Sequence, residues 1–298
     1  MIIDKPGKIT GRIHFLGRKE SCVYILKGKE EYAMLGGGMI HTVSDIIKQI
    51  KDLNIEEAKI KRIVILHSHF DHCGAVPFLK KQWPWVKVTA SAKAKELLSS
   101  PKVLKTIDHL NRLILKRNKY ENKAKNLLSP FEIEIEDIVH GGDILSCDDL
   151  TMEVIDAPGH SSCSIAIYVP EEKAMFASDA GGIPFGDQIF TAANSDFDKY
   201  QNSLKKMSKY DINIFLAEHF GAMTGKDAQT FLQRSIDSAI KTEKILKVSY
   251  ARTNDVKESA EEVTDMFMEK APKDFHPKEI MFMVVEQMMQ NIARKISS

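Results

Sequence analysis

The chain has 298 residues, of which 43% are hydrophobic and 28% charged, a composition that excludes intrinsically disordered and collagen-like proteins. Its formal net charge of +1 provides no overall field to attract nucleic acid or an anionic membrane, so we expect neither partner. The absence of an apolar N-terminal leader, and of any uncharged apolar run of about 18 residues, predicts a cytoplasmic protein. Its four cysteines lack CxxC spacing and are expected to be buried free thiols.

The first hundred residues combine strand and helix patterns. Short β-branched and aromatic runs separated by glycines and charged residues predict an antiparallel meander over residues 11–35. Apolar residues at helical spacing predict a helix within TVSDIIKQIKDLN, and KRIVIL predicts a buried strand. The segments AVPFLKKQW, VKVTA and SAKAKELLSS then predict helix, strand and helix. This alternation indicates an α/β protein.

The remainder of the chain predicts a second group of strands followed by helices alone. A long helix is expected over about 102–127, and strands over 138–178, in DIVHGGDIL, LTMEVIDA, SIAIYVP and KAMFAS. A Gly- and Pro-containing loop, 181–197, precedes the helix FDKYQNSLKKMSKY and the strand INIFLAE. Three helical segments follow. We therefore predict a catalytic domain over 1–222 and a helical extension over 223–298 that packs near the active site.

The stretch LHSHFDHCG follows the apolar run RIVIL directly and is the strongest signal in the sequence. His67 and His69 are two residues apart, so both imidazoles lie on one side of an extended segment and can converge on one ion. Asp71 and His72 follow where the chain turns and can face a neighbouring position. One short loop could thus serve two cations.

Three later strand ends supply further candidate ligands. His160 follows TMEVIDA, Asp179 follows KAMFA, and His219 follows INIFLA, each where a predicted buried strand meets a loop. The alternative is a set of buried histidines that hydrogen-bond without a metal. The other five histidines lack such a setting and are expected at surface or helix positions: His14, His41, His109, His140 and His276.

The order HxHxDH, His, Asp, His resembles the metallo-β-lactamase superfamily over residues 11 to about 222. This resemblance implies a four-layer αββα sandwich with two divalent metal ions at one edge. It implies that Asp179 bridges the two ions and that the remaining ligands divide into two groups. The implied first group is His67, His69 and His160, and the second is Asp71, His72 and His219.

Within the superfamily, the branch of quinolone signal response proteins, which are aminobenzoylacetyl-CoA thioesterases, is the most similar. This likeness rests on HSHFDHCGAVPFL, LNRLIL, GHSSCSIAIY, MFASDAGG and the helical C-terminal extension. The chain departs from the wider family at Gly36, Gly37 and Gly38, where an acidic D-T-G turn usually follows an early strand. From this departure we expect one ligand histidine to lack its acidic hydrogen-bond partner.

Two cations that share a water lower its pKa and present hydroxide at neutral pH, so the expected reaction is hydrolysis of a small molecule. Asp71 would orient this nucleophile or accept its proton. The motifs show no additional general acid, which favours thioesters and activated esters or lactones, because a thiolate leaves without protonation. The nitrogen and oxygen ligand set suits zinc, iron or manganese, and the resemblance favours iron.

Three further features bear on substrate and partners. A basic segment over 101–126 suits the phosphates of a CoA ester, an RNA backbone or simply solvent. Phe185 and Phe190 follow Asp179 and are expected to contact substrate. The Met-rich C-terminal helices suit a cap over the pocket, a homodimer contact or ordinary packing.

Other functions are compatible with the same motifs. A diiron redox enzyme is disfavoured because that branch usually has Glu where His69 stands, and because no flavodoxin-like pattern follows Phe220. A nucleic acid phosphodiesterase is supported only by the basic segment. A regulatory protein with a secondary hydrolase site is the remaining alternative.

Overall fold

Two mixed seven-stranded sheets pack face to face in the computed structural model, which describes residues 1–117, 132–271 and 277–297. In spatial order the N-terminal sheet contains β2 (Gly7–Lys8), β3 (Ile13–Arg18), β4 (Ser21–Lys27), β5 (Tyr32–Leu35), β6 (Ile60–Val64), β7 (Lys87–Ser91) and β8 (Asp137–Val139). The C-terminal sheet contains β1 (Ile2–Ile3), β16 (Ala222–Thr224), β15 (Ile214–Leu216), β12 (Ala174–Phe176), β11 (Ile165–Val169), β10 (Leu150–Asp156) and β9 (Ile144–Cys147).

Helices cover the outer face of each sheet. The N-terminal sheet carries α1 (Val43–Asp52), α3 (Val76–Gln82), α4 (Ala92–Leu98) and α5 (Pro101–Arg117), and the short α2 (Phe70–Cys73) follows β6. The C-terminal sheet carries α6 (Phe197–Met207), α7 (Lys226–Thr253), α8 (Val256–Met268) and α9 (Lys278–Ser297). This arrangement confirms the predicted four-layer αββα order.

Three apolar clusters hold these layers together. Between the sheets, fully buried aromatic residues from both sides meet, as Tyr24 does with Phe176 at a ring separation of 5.8 Å. Ile46 and Ile50, one helical turn apart on α1, are buried against the outer face of the N-terminal sheet. The third cluster joins the C-terminal sheet to α6–α9, where Phe215 and Phe231 stack at 4.4 Å.

Strand directions explain why the predicted ligands can meet. β10 and β12 each pair antiparallel with β11 and therefore run the same way, and β15 pairs parallel with β12. The carboxyl ends of these three strands consequently lie at one edge of the sheet. In the N-terminal sheet, the antiparallel meander β3–β4–β5 is confirmed, and β6 runs parallel to β5 and β7.

The sequence-based boundaries differ from the structure in three places. DIVHGGDIL is not one strand, because a turn at Gly141 and Gly142 divides it between the two sheets as β8 and β9. The loop predicted over 181–197 contains a hairpin, β13 (Ile183–Phe185) with β14 (Gln188–Phe190). The domain division after residue 222 falls inside β16, which pairs with both β15 and β1.

The three C-terminal helices share the core of the C-terminal sheet. Phe231 and Leu232 on α7, and Met288, Met289 and Ile292 on α9, are buried in the same cluster as β12 and β15 residues. The helical extension is therefore part of the sandwich core. None of the described helices has the length and apolarity needed to cross a bilayer.

Candidate metal centre

Four loops bring the predicted ligands together at the carboxyl ends of the strands. His67 and His69 follow β6 in extended backbone, and the chain then turns into α2, which carries Asp71 and His72. His160 follows β10. Its loop approaches the first turn of α6 so closely that a Cβ at Gly159, with φ of 128°, would collide with the backbone of Tyr200. Asp179 lies in a 3-10 turn after β12, and His219 follows β15.

The first cluster consists of His67, His69 and His160, as predicted from the sequence. The Nε2 atom of His160 lies 3.1 Å from Nε2 of His67 and 3.0 Å from Nδ1 of His69. His67 and His160 are buried, and His69 is partly buried. Three nitrogen donors thus converge from two different sheets.

The second cluster consists of Asp71, His72 and His219. The Nε2 atoms of His72 and His219 are 3.1 Å apart, and each lies 3.4 Å from Oδ2 of Asp71. All three residues are buried, and their ligand atoms lie within 4.8 Å of one another. This group also matches the prediction.

Asp179 lies between the clusters. Its Oδ2 atom is 3.2 Å from His72 Nε2 and 3.5 Å from His160 Nε2, so one carboxylate oxygen approaches both groups. Its Oδ1 atom is 3.7 Å from His219 Nε2. The structure therefore brings all seven predicted ligands together, with Asp179 between the two clusters, and their role as metal ligands stays a prediction.

The outward ring nitrogens of the histidines have fixed partners. Nδ1 of His160 lies 2.7 Å from the carbonyl oxygen of Ala192, and Nδ1 of His219 lies 2.8 Å from that of Glu20. A carbonyl oxygen only accepts hydrogen bonds, so each Nδ1 carries the proton and each Nε2 presents a lone pair to the cluster. This is the tautomer that a metal ligand needs.

Two features of the clusters indicate that their residues fit metal ions. Lone pairs that face one another at 3.0–3.1 Å repel unless a cation or proton lies between them. Asp179 Oδ1, buried in the same space, has no hydrogen-bond partner among the described residues, and a buried carboxylate in that state is strongly unfavourable. Both features are resolved by divalent cations, so the donor set fits the two ions expected from the sequence.

The pKa values of the histidines shift in opposite directions in the two clusters. Burial, followed by neighbouring imidazoles, lowers the pKa of His67 and lowers that of His69 to about 3. Burial also opposes charge on His72, but Asp71, Asp179 and Glu218 outweigh it and raise the pKa of His72. The first cluster consequently offers neutral donors, whereas the carboxylates around the second favour a positive charge there.

The family model described as metallo-beta-lactamase superfamily matches residues 17–219. The chain belongs to the metallo-β-lactamase superfamily. The match begins in β3 and ends at the last of the seven ligands, so it covers both clusters. The quinolone signal response branch is not distinguished by this match.

Among curated relatives, the metallo-beta-lactamase fold-containing protein ST1585 of Sulfurisphaera tokodaii is 24% identical over 218 residues, which are 72% of this chain and 78% of the relative. A hydroxyacylglutathione hydrolase of Legionella pneumophila is 23% identical over 57% of this chain and 53% of its own length. Among solved structures, the family protein TTHA1429 of Thermus thermophilus has a TM-score of 0.69 at 16% identity, covering 97% of this chain and 95% of that one. These structural similarities concern the metallo-β-lactamase fold.

An apolar pocket of about 520 Å³ opens beside the first cluster. His69 and His160 form part of its wall, and α5 and α9 line it together with loop residues such as Ser161 and Asn194. The apolar lining residues from these two helices are Val103, Ile107, Leu110, Ile280, Met283 and Val284. One face of α9 with Met283 therefore lies at the site, whereas Met281, Met288 and Met289 are buried in the core, and a cap over the pocket stays a prediction.

Phe185 and Phe190 lie elsewhere. Both are buried in the C-terminal core on the β13–β14 hairpin, with 4% and 5% of their surface exposed, and Phe190 packs against Phe267 at a ring separation of 5.5 Å. Neither lines the apolar pocket beside His69 and His160. A contact of these residues with substrate stays a prediction.

The cysteines and most of the described remaining histidines lie where the sequence predicted them. All four cysteines are buried free thiols, as expected: Cys22, Cys73, Cys147 and Cys163. His109 and His140 are exposed, and His41 lies in a 3-10 helix, but the prediction for His14 is wrong because it is buried within β3. His276 and residues 118–126 of the basic segment lie outside the described residues.

Two residues at the site were not identified from the sequence. Glu218 is 1% exposed and accepts a hydrogen bond from His72 Nδ1 at 3.0 Å, and Ser178 hydrogen-bonds to the same carboxylate. The available signal was a single acid at the end of the apolar run IFLA, directly before His219.

Proposed function

We propose that the protein is a dinuclear metal-dependent hydrolase of thioesters or activated esters and lactones with an apolar acyl group. The observation that carries this proposal is the arrangement of two three-residue donor clusters, with Asp179 between them, at the mouth of an apolar pocket. Hydrolases are typical of the superfamily to which the chain belongs, and the substrate class is the new element of the proposal.

His67, His69 and His160 would hold one ion, and Asp71, His72 and His219 the other, with Asp179 shared. When bound, two divalent ions supply Lewis acidity towards a carbonyl oxygen and acidify a water molecule. Asp71 Oδ2 lies 3.4 Å from two imidazole nitrogens, in a position to hold a proton taken from the attacking water. Zinc, iron and manganese all suit these donors.

The apolar pocket supports an acyl or aryl group as the part of the substrate that is recognised. The pocket wall includes His69 and His160, so an acyl group bound there places the carbonyl carbon of the substrate near the donor clusters. The described lining residues from α5 and α9 are mainly aliphatic, and burial of one methylene contributes about 0.8 kcal/mol. Larger apolar acyl groups should therefore bind more tightly than acetyl.

A thiol leaving group is supported by two further features. The described residues that line the pocket include no acidic side chain that could protonate an alkoxide, and a thiolate needs no such help. Hydroxyacylglutathione hydrolase, one of the similar proteins, acts by its name on an acyl group attached to glutathione. Exposed Lys102 and Lys105 lie on α5 beside the pocket and would suit CoA phosphates, in line with the quinolone signal response branch.

Asp179→Asn tests this proposal, with Asp187→Asn as the matched control at an exposed position of the β13–β14 turn. Asparagine cannot provide a charged oxygen to both clusters, so we expect loss of at least one ion per chain and about 100-fold or more loss of thioesterase kcat/KM. The measurements are metal content by elemental analysis and hydrolysis of acyl-CoA and aryl thioesters.

The control should retain two ions and full activity. Metal-free wild-type protein after reconstitution, or full activity in Asp179→Asn, would contradict the proposal. Hydrolysis of phosphodiesters but not of thioesters would keep the metal centre and overturn the substrate class.

A further inference from the structure

Glu218 contacts His72 on the side of the ring that faces away from the donor cluster. Its Oε2 atom lies 3.0 Å from His72 Nδ1, whereas His72 Nε2 lies among Asp71, Asp179 and His219. The carboxylate can only accept from Nδ1, so it fixes the proton there. A metal ligand held in this way has its ring orientation and tautomer set before an ion binds.

The same carboxylate reaches the first cluster through Ser178. The hydroxyl of Ser178 donates to Glu218 Oε2, and its oxygen lies 3.2 Å from Nδ1 of His67. Because the hydroxyl proton is used towards Glu218, the serine oxygen accepts from His67 Nδ1–H. His67 Nε2 is thereby left as a lone pair facing His160.

Gly36 provides the space for this carboxylate. A Cβ built at Gly36, which has φ of 85°, would overlap Glu218 Oε1. Gly36 is the first residue after β5, where the resemblance places an acidic D-T-G turn. A side chain at position 36 and the Glu218 carboxylate therefore exclude one another.

We infer that Glu218 is a positioning residue for one ligand histidine in each cluster, His72 directly and His67 through Ser178. This corrects the expectation of an unanchored ligand histidine. The inference rests on the proposed function only in that the clusters bind cations.

The alternative role for Glu218 is that of a ligand itself, because an oxygen of Glu218 and nitrogens of His67 and His72 lie within 4.8 Å of one another. The His72 atom nearest to Glu218 is Nδ1, however, and His72 Nε2 already belongs to the second cluster. A neutral imidazole has one nitrogen with a free lone pair and one that carries a proton. If His72 Nε2 is the ligand atom, its Nδ1–H faces Glu218, so the geometry favours a positioning role for Glu218.

Chelator competition with the zinc-loaded protein separates these roles without an activity measurement. We expect Glu218→Ala to weaken both ions about 10- to 100-fold, and Ser178→Ala to weaken mainly the ion held by His67. Glu218→Gln retains an accepting oxygen, so its two affinities should fall less than about tenfold. Glu31→Ala, at an exposed acid in the connection between β4 and β5, is the matched control.

Unchanged affinities in folded Glu218→Ala would overturn the inference. Equal losses in the Gln and Ala variants would also overturn it, because they would identify the charged carboxylate as a ligand. If zinc-loaded wild-type protein binds two ions but hydrolyses no ester or thioester, the proposed function fails while the affinities still decide the role of Glu218.

Discussion

His14 is a buried histidine that belongs to neither donor cluster. It lies within β3, opposite Lys8 of β2 and Ile25 of β4, and is 5% exposed. Its Nδ1 atom has no hydrogen-bond partner among the described residues. Burial, assisted by the positive charges of Lys27 and Lys8, lowers the pKa of His14 to about 4.

Because the pKa of His14 is lower in the folded chain, this residue should make folding stability depend on pH. An unfolded His14 takes up a proton near its ordinary pKa of 6.5, whereas the folded one does so only near 4, so folding stability falls as pH decreases between these values. Relative to His14→Leu, the wild type should lose about 2 kcal/mol of unfolding free energy between pH 7 and pH 5, measured by urea denaturation. Parallel curves of stability against pH for wild type and His14→Leu would contradict the prediction.

The seven candidate ligands could be predicted because each follows an apolar strand run, and strand ends of one direction meet at one sheet edge. Glu218 could not be predicted in the same way. It is adjacent to His219 in sequence, but its carboxylate contacts His72, and sequence position does not reveal which buried acid faces which imidazole. His14 was misplaced because a single polar residue in a strand pattern is ordinarily assigned to the exposed face.

At the scale of elements, α5 and α9 face each other across the apolar pocket. α5 contributes Val103, Ile107 and Leu110 at helical spacing, and α9 contributes Ile280 and Val284 one turn apart. The two helices come from distant parts of the chain, and most of their buried residues belong to different apolar clusters. Substrate selectivity is therefore expected to depend on the distance between them.

Val284→Phe tests the pocket. The larger ring should occupy space needed by the acyl group, so kcat/KM for octanoyl or benzoyl thioesters should fall about 10- to 100-fold while acetyl thioesters change little. Steady-state kinetics with matched thioesters measure this, and Val248→Phe, at a position 60% exposed on α7, is the control. A uniform loss on all substrates would contradict selective filling.

The existence of these helices could be predicted from apolar periodicity, but the pocket could not. Periodicity shows which face of α9 is apolar, and it does not show whether that face covers the sheet, a second subunit or the active site. The β13–β14 hairpin was missed for a related reason, since its strands of three residues each are too short to show alternation.

At the scale of the molecule, the candidate metal site joins the two sheets. Four ligands follow β6 of the N-terminal sheet, and three follow strands of the C-terminal sheet. An ion held from both sides stabilises the folded chain by mass action, because the unfolded chain does not hold these donors together.

Metal removal should therefore lower the melting temperature. With free zinc about 1,000-fold above its Kd, each site contributes about 4 kcal/mol, which corresponds to a shift of about 10–20 °C for two sites in a chain of this size. Differential scanning calorimetry before and after chelation measures the shift. The decrease in melting temperature on chelation should be smaller for Asp179→Asn than for Asp187→Asn. A melting temperature of the wild-type protein that does not change on chelation would contradict the prediction.

The turn at Gly141 and Gly142 carries the chain from β8 in one sheet to β9 in the other. His67, His69, Asp71 and His72 precede this crossing, and His160, Asp179 and His219 follow it. During synthesis, the ribosome therefore releases the first four donors long before the bridging carboxylate exists. The complete set of seven donors can therefore assemble only after the second sheet has docked on the first.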